Sequence, residues 1–309
     1  MTVVFWKELA DHFGSKRFIL FLFLILIVAG ASVYLAEQAM GENPDQAGAF
    51  AFLNLFTQSS GGMPSFLGFL AFFGPLIGVL IGFDSVNGEF ARGTVSRVLA
   101  QPIYRHAWIN GKFLAGLGAL GLALAGIMLI IFGLGLYGLG FPPQGAELSR
   151  IATFFVIGVI YLGFWLALGI LFSVVFRQPA SSALAAIGVW LFFTLFLYML
   201  AGLIADQVAP VQLNSPAQAW IHHKQIHDLV LRFSPATLFE EATSAILIPS
   251  YRGLGIAALL SQEQLPTNPL PLGQSLLIVW PQLVGLIALT SICFAISYVI
   301  LMRREIRST

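Results

Sequence analysis

The stretch IATFFVIGVIYLGFWLALGILFSVVF, Ile151 to Phe176, contains no charged side chain and no proline. A helix that crosses the ~30 Å hydrocarbon core of a bilayer needs ~20 such residues, and this run exceeds that length. Five more runs of the same kind lie on either side, at about Phe18 to Ala36, Pro64 to Phe83, Phe113 to Gly140, Ala183 to Ala205 and Leu276 to Met302. None carries Asp, Glu, Lys, Arg or His in its interior. At ~1.5 Å per residue the third and fourth runs overreach the core, so they should tilt or project beyond it. The reading is an all-α integral membrane protein of six transmembrane helices, a single domain over residues 1–309.

Composition agrees with lipid as the solvent. The chain is 58% hydrophobic and only 9% charged, with a mean hydropathy of +0.88, whereas soluble domains carry roughly a quarter charged residues. Net charge is +1, and no Lys/Arg block interleaved with aromatics occurs, so a nucleic-acid surface is unsupported. Cys293 is the single cysteine, which forbids intrachain disulfides and suits a small apolar packing residue. The segment from Lys7 to Arg17, the apolar run after it and Ala29-Gly30-Ala31 imitate a cleavable leader. The run continues through Val33, Tyr34 and Leu35, however, which suits a retained span. The 31 glycines fit membrane helices, and no Gly-x-x-x-x-Gly-Lys-Ser/Thr stretch for ATP binding occurs among them.

Cationic residues orient the spans. With the N-terminus in the cytoplasm, Lys7, Lys16, Arg17, Arg92, Arg97, Arg105, Lys112, Arg177, Arg303, Arg304 and Arg307 lie inside. Arg150, Lys224, Arg232 and Arg252 remain outside, out of 15 Lys and Arg in all. This bias predicts a multi-pass protein of the cell (inner or cytoplasmic) membrane with both termini cytoplasmic. In residues 1–17, Val4, Phe5, Leu9, His12 and Phe13 fall near one helical face with Lys7, Glu8 and Asp11 largely elsewhere. That pattern predicts an amphipathic elbow helix on the membrane surface. Gly111, Ala115, Ala119 and Ala123 recur every fourth residue, a face on which another helix can approach closely.

The loop between the second and third spans, residues 84–112, holds Asp84, Glu89, Arg92, Arg97, Arg105 and Lys112, among 29 charged residues in the chain. Asn87-Gly88 and Gly93 punctuate it, and Thr94 can cap a short helix. Val95, Val98 and Leu99 give that helix an apolar stripe before Pro102 stops it. The stripe needs a cover, which could be the membrane surface, the protein's own spans or a partner's groove.

Glu89, Arg92-Gly93-Thr94, Leu99, Gln101-Pro102, Arg105 and Gly111-Lys112 together resemble the type-two permeases of ATP-binding cassette (ABC) exporters, in the six-span branch with a long outer loop. The resemblance implies that the loop carries a cytoplasmic coupling helix docking on an ATPase subunit, beside the elbow helix. Glu89, Arg92, Gly93, Thr94, Val95 and Val98 would then hold the ATPase interface. Gln101, Pro102 and Arg105 would fix the return into the third span, and Lys112 would anchor that span at the headgroups. ATP and magnesium would belong to the partner ATPase, with no cofactor on this chain. Other implied partners are a second permease copy or paralogue, lipids and accessory extracytoplasmic proteins. The short loop from Arg177 to Ser182 would hold a smaller contact of the same kind.

Residues 206–275 form a proline-rich extracytoplasmic segment, read as a helical cap. Ser234-Pro235 starts a helix in it, and Leu238, Phe239, Ala242, Ala245 and Ile246 recur at helical spacing before Pro249. His223 and His227, beside His222 and Asp228, are metal-ligand candidates at i and i+4, but they lack a third ligand. Two other function classes are open on the sequence. An ion-coupled secondary transporter would need ionisable or broken-helix groups at the midplane. A membrane-embedded enzyme would need a catalytic cluster, which only the outer histidines and Glu240-Glu241 approach.

Overall fold

The structure, a computed structural model, describes residues 1–42, 50–59, 62, 64–93, 104–212, 215–249 and 270–304. Among these residues there is no strand. Six helices are long and apolar enough to cross a membrane: Lys16–Met40, Phe66–Ala91, Arg105–Leu139, Gly145–Val175, Pro179–Val208 and Leu272–Arg303. Each expected apolar run forms one of them.

In chain order the elements are α1 (Thr2–Gly14), α2 (Lys16–Glu42), α3 (Ala51–Thr57), α4 (Phe66–Gly82), α5 (Asn87–Ala91), α6 (Arg105–Leu139) and α7 (Gly145–Val175). The fifth span joins α8 (Pro179–Leu191) to α9 (Leu197–Val208) through a π-helical segment, Phe192–Phe196. After it come α10 (Ala217–Leu231), α11 (Pro235–Leu247) and α12 (Leu272–Arg303). Several helices continue past their apolar runs, since a helix that meets polar surroundings stops only where its end groups find partners. α7 is capped by Gln144, whose backbone N–H donates to Glu147 Oε2 at 2.8 Å in a capping box. α6 starts at Arg105, so its first turns hold residues from Arg105 to Lys112 that the sequence assigned to the loop.

α7 is the central strut, packed against α4, α6, α8, α11 and α12. Its contact with α4 is a backbone-to-backbone approach. A Cβ at Gly78 would lie 2.8 Å from the Leu162 carbonyl oxygen, and one at Gly82 would lie 2.7 Å from that of Leu166. Glycine at these positions lets the helices touch where any side chain would separate them. The stripe read on α6 is buried as well: Ala115 and Ala119 are fully covered, and Gly111 faces Val4 of α1.

Pro75 lies inside α4. It has no N–H, so the Ala71 carbonyl loses its intrahelical donor. Tyr161 on α7 replaces that donor, its hydroxyl 2.6 Å from the Ala71 oxygen. The Trp190 indole on α8 donates to the next carbonyl, Phe72, at 3.1 Å. The irregularity in α4 is thus held from two sides.

One end of the bundle, here the basal end, gathers α1, the start of α2, α5, the start of α6 and the ends of α7 and α12. Arg105 Nη1 donates to the Arg304 carbonyl at 3.0 Å, and Arg304 Nη1 donates to the Val174 carbonyl at 3.1 Å. The start and end of the described chain therefore meet at one side, as an even number of spans requires. At the opposite, distal end α7 runs on, and its 31 residues reach ~46 Å at ~1.5 Å each, beyond a ~30 Å core. The overhang carries α3 and α11. Glu147 Oε1 accepts from the Phe52 backbone N–H at 2.9 Å, and Arg150 donates to the Ile246 and Leu270 carbonyls. α11 follows its sequence pattern, with Phe239, Ala242, Ala245 and Ile246 fully buried. It is sunk into the bundle, where the Phe239 ring stacks on Tyr161 with centroids 4.3 Å apart.

Candidate functional site

The second span ends in a tight turn that places α5 against α7. Ser173 Oγ accepts from the backbone N–H groups of Val86 and Asn87, at 2.9 and 3.1 Å. The Asn87 amide donates to the Phe176 carbonyl at 3.4 Å. These bonds cap the start of α5 and leave Asn87, Gly88 and Glu89 buried. Glu89 thereby points into the bundle, where Lys112 waits on α6.

Lys112 is 3% exposed and contacts two carboxylates, Glu89 Oε1 at 2.6 Å and Glu8 Oε1 at 3.0 Å. Its ammonium also lies 5.3 Å from the Trp108 ring centroid. One buried cation therefore ties α1, α5 and α6 together. Burial alone would push the Glu8 carboxyl up, but Lys112 and then Lys7 hold it below the ordinary carboxylate range. His12, one turn further along α1, is pushed down by burial, against the opposing charge of Glu8 and with the added push of Lys112. Removing charges from water costs several kcal/mol per ion, so such a cluster fixes one arrangement of three elements more than it adds stability. Around it, Arg17 pairs with Asp84 at 3.3 Å, and the Arg304 guanidinium lies 4.6 Å from the Phe90 ring centroid.

Beyond this knot the chain turns outward. Gly93 adopts φ +66°, a left-handed conformation that closes α5 without the strain a Cβ would bring. Ala91, Arg92 and Gly93 are exposed, and the Arg92 guanidinium folds back over Gly88. Thr94, Val95, Val98, Gln101 and Pro102 lie outside the described residues. Of the sequence candidates, Glu89 and Lys112 meet directly, Arg105 ties α6 to α12, and Arg92 with Gly93 forms the exposed tip. Lys112 is a correction to the expectation of a headgroup anchor: it faces the protein interior, because Glu8 and Glu89 supply the charges that let it be buried. A second correction concerns Glu8, which lies on the packed face of α1. Its spacing of four from both Val4 and His12 carried that signal. Ser173 and Arg304 had no comparable mark.

The distal candidates do not converge. His223 Nδ1 lies 3.0 Å from the Ala209 carbonyl oxygen, and the His227 ring packs on Tyr198. Among the described residues no three His, Cys, Asp or Glu side chains gather as metal ligands would. Glu241 is engaged by Arg232 at 3.1 Å and by the Gln282 amide at 2.9 Å.

Residues 2–306 match the family described as ABC-2 family transporter protein. The chain is also similar to a protein of Stutzerimonas stutzeri named "Probable ABC transporter permease protein NosY", with 29% identity over 207 residues, 65% of this chain and 70% of that protein. Its similarity to the protein of the same name from Pseudomonas aeruginosa is 30% over 207 residues, again 65% of this chain and 70% of the relative. With six apolar helices long enough to cross a membrane, and matched over nearly its whole length, the chain belongs to the ABC-2 family of transporter proteins, as a multi-pass permease.

Proposed function

We propose that this permease works as the membrane subunit of an ABC exporter whose basal end faces the cytoplasm and receives ATPase subunits there. ATP and magnesium are bound by those subunits, and a second permease copy or paralogue completes the pore. Residues 84–112 are the coupling segment and α1 is the elbow helix beside it. The observation that carries this reading is the buried Lys112 bridge, which joins α1, α5 and α6 around the exposed tip at Arg92-Gly93. A force applied at that tip moves α6 and α1 together instead of bending a loose loop. It reaches α7 through the glycine contacts of α4, whose end is continuous with α5. Closure of the ATPase subunits on nucleotide then tilts the spans and drives cargo outward.

The test is co-purification of the full-length permease with its ABC ATPase. Glu89 and Lys112 are buried and would unfold the tip if changed, so the informative variant combines Arg92→Glu with Val95→Asp and Val98→Asp. It should remain monodisperse and lose the ATPase. A complex retained in full would remove residues 84–112 from the interface.

A further inference from the structure

Two helix irregularities of the bundle face the same space. On one side is α4 at the Pro75 break; on the other is the π-helical segment of the fifth span. Single π turns inside α-helices accompany functional sites often enough to warrant a search there. Between them, closed by the start of α11, is a cavity of about 220 Å³ whose lining includes Phe72, Phe193, Thr194, Tyr198, Ser234 and Glu240. We propose that this cavity holds an organic ammonium group, with Glu240 as its counter-ion and the aromatic side chains as its walls.

Three observations carry the assignment. First, Glu240 has no ion-pair partner among the described residues, whereas its neighbour Glu241 is bound by Arg232 and Gln282. Glu240 is exposed and lines the cavity, so a cation seated there would meet a carboxylate that no protein cation already occupies; the surrounding protein also pushes that carboxyl up. Second, Ser234 is 1% exposed, its Oγ has no hydrogen-bond partner, and it does not cap α11. Its Oγ is an unused acceptor beneath the cavity wall. Third, Phe72, Phe193 and Tyr198 line the cavity, and aromatic side chains around a carboxylate recognise alkylammonium groups. An anion would meet the Glu240 carboxylate, and a purely apolar guest would leave that carboxylate uncompensated.

Depth supports the same chemistry. Glu241 binds Gln282, which is 21 residues from Arg303 at the basal end of α12. That separation is ~32 Å at ~1.5 Å per residue, close to the ~30 Å thickness of the hydrocarbon. The cavity lining itself runs from Phe72, 10 residues (~15 Å) from the basal end of α4 at Gly82, to Tyr198, 19 residues (~29 Å) from the start of α8 at Pro179, so the cavity opens from the distal half of the hydrocarbon toward the headgroups of the distal leaflet, within reach of a lipid headgroup or of a free amine. The inference does not depend on how the basal end meets an ATPase.

The experiment uses the full-length chain in phosphatidylglycerol nanodiscs, titrated with choline by calorimetry. A parallel arm uses native mass spectrometry of protein released from bilayers of equal phosphatidylglycerol and phosphatidylcholine. Saturable choline binding, weakened at least about tenfold by Glu240→Gln, assigns the site to a free amine. Selective retention of phosphatidylcholine that Glu240→Gln abolishes assigns it to a lipid; either result supports the proposal. Tyr198→Ala, at a side chain 64% exposed and so outside the core, should weaken the same signal severalfold even if Glu240→Gln fails to fold. A wild-type protein that neither binds choline nor selects phosphatidylcholine overturns the proposal. Unchanged binding in either folded variant does the same.

Discussion

At the scale of single residues the most informative side chain is Lys112, because its surroundings reverse what its neighbours in sequence suggest. A lysine at the mouth of an apolar run is ordinarily a headgroup anchor; here two carboxylates from distant segments, Glu8 and Glu89, draw it inward. The sequence marked Glu89 and Lys112 as belonging to one segment, but their pairing is tertiary and had no local signal. Lys112→Met should lower stability by about 3–5 kcal/mol at neutral pH, the cost of leaving buried carboxylates without their cation. The pH dependence should change as well. In the folded protein Glu8 is held below its ordinary value of 4.5, so its contribution is complete above that value and is lost as pH falls through the folded pKa. His12 is also held below its ordinary value of 6.5. The unfolded chain therefore takes up that proton first, and stability drops as pH falls below about 6.5. Thermal melting in detergent between about pH 4 and pH 8 should show the wild type weakening on acidification. In Lys112→Met the Glu8 part should shrink, since only Lys7, 3.0 Å from Glu8 Oε1, remains to hold the carboxylate against the push of burial. Parallel curves for the two proteins would show that Lys112 does not set the charge of Glu8.

At the scale of elements, long apolar runs made every span legible, because the bilayer leaves a helix no other way to satisfy its backbone. The ends were less legible: α6 and α7 continue into polar sequence, α7 as far as the Gln144–Glu147 capping box. The helix at Pro235–Leu247 was visible in its Ser-Pro start and apolar spacing, but its burial against Tyr161 was not, since periodicity says which face is apolar and not what covers it. Small residues were read on α6 but missed on α4, where Gly74, Gly78 and Gly82 recur at the same interval of four. The α4 stripe makes the tighter contact. A Cβ at Gly82 would also come within 2.9 Å of the Ile170 backbone nitrogen, and backbone atoms cannot step aside as side-chain tips do. Gly82→Leu should therefore cost about 1–3 kcal/mol or more, by forcing the central pair apart. Gly126→Ala, where a Cβ meets nothing within 4 Å, should be neutral or should stabilise by about 0.5–1 kcal/mol, as alanine does in a helix interior. Melting temperatures of the two variants compare them directly, and equal behaviour would mean that α4 and α7 are not in backbone contact.

At the scale of the whole molecule the two ends of the bundle differ in kind. The basal end collects Lys7, Arg17, Arg92, Arg105, Arg177, Arg303 and Arg304, while the described distal cations are Arg150, Lys224 and Arg232. Of those three, Arg150 is buried among carbonyls and Arg232 is paired with Glu241, so little free positive charge remains there to oppose insertion. By the positive-inside rule the richer end is the one expected in the cytoplasm, the side on which the proposed ATPase would find ATP. A cysteine map decides the matter. In a Cys293→Ser background, Lys224→Cys on the exposed face of α10 should react with an impermeant maleimide in intact cells. Arg92→Cys should react only after permeabilisation. Both positions are surface residues of folded elements, so labelling reports sidedness and not unfolding. Labelling of Arg92→Cys in intact cells would place the tip outside, separate it from any nucleotide-driven partner, and leave the Lys112 cluster as a purely structural clasp.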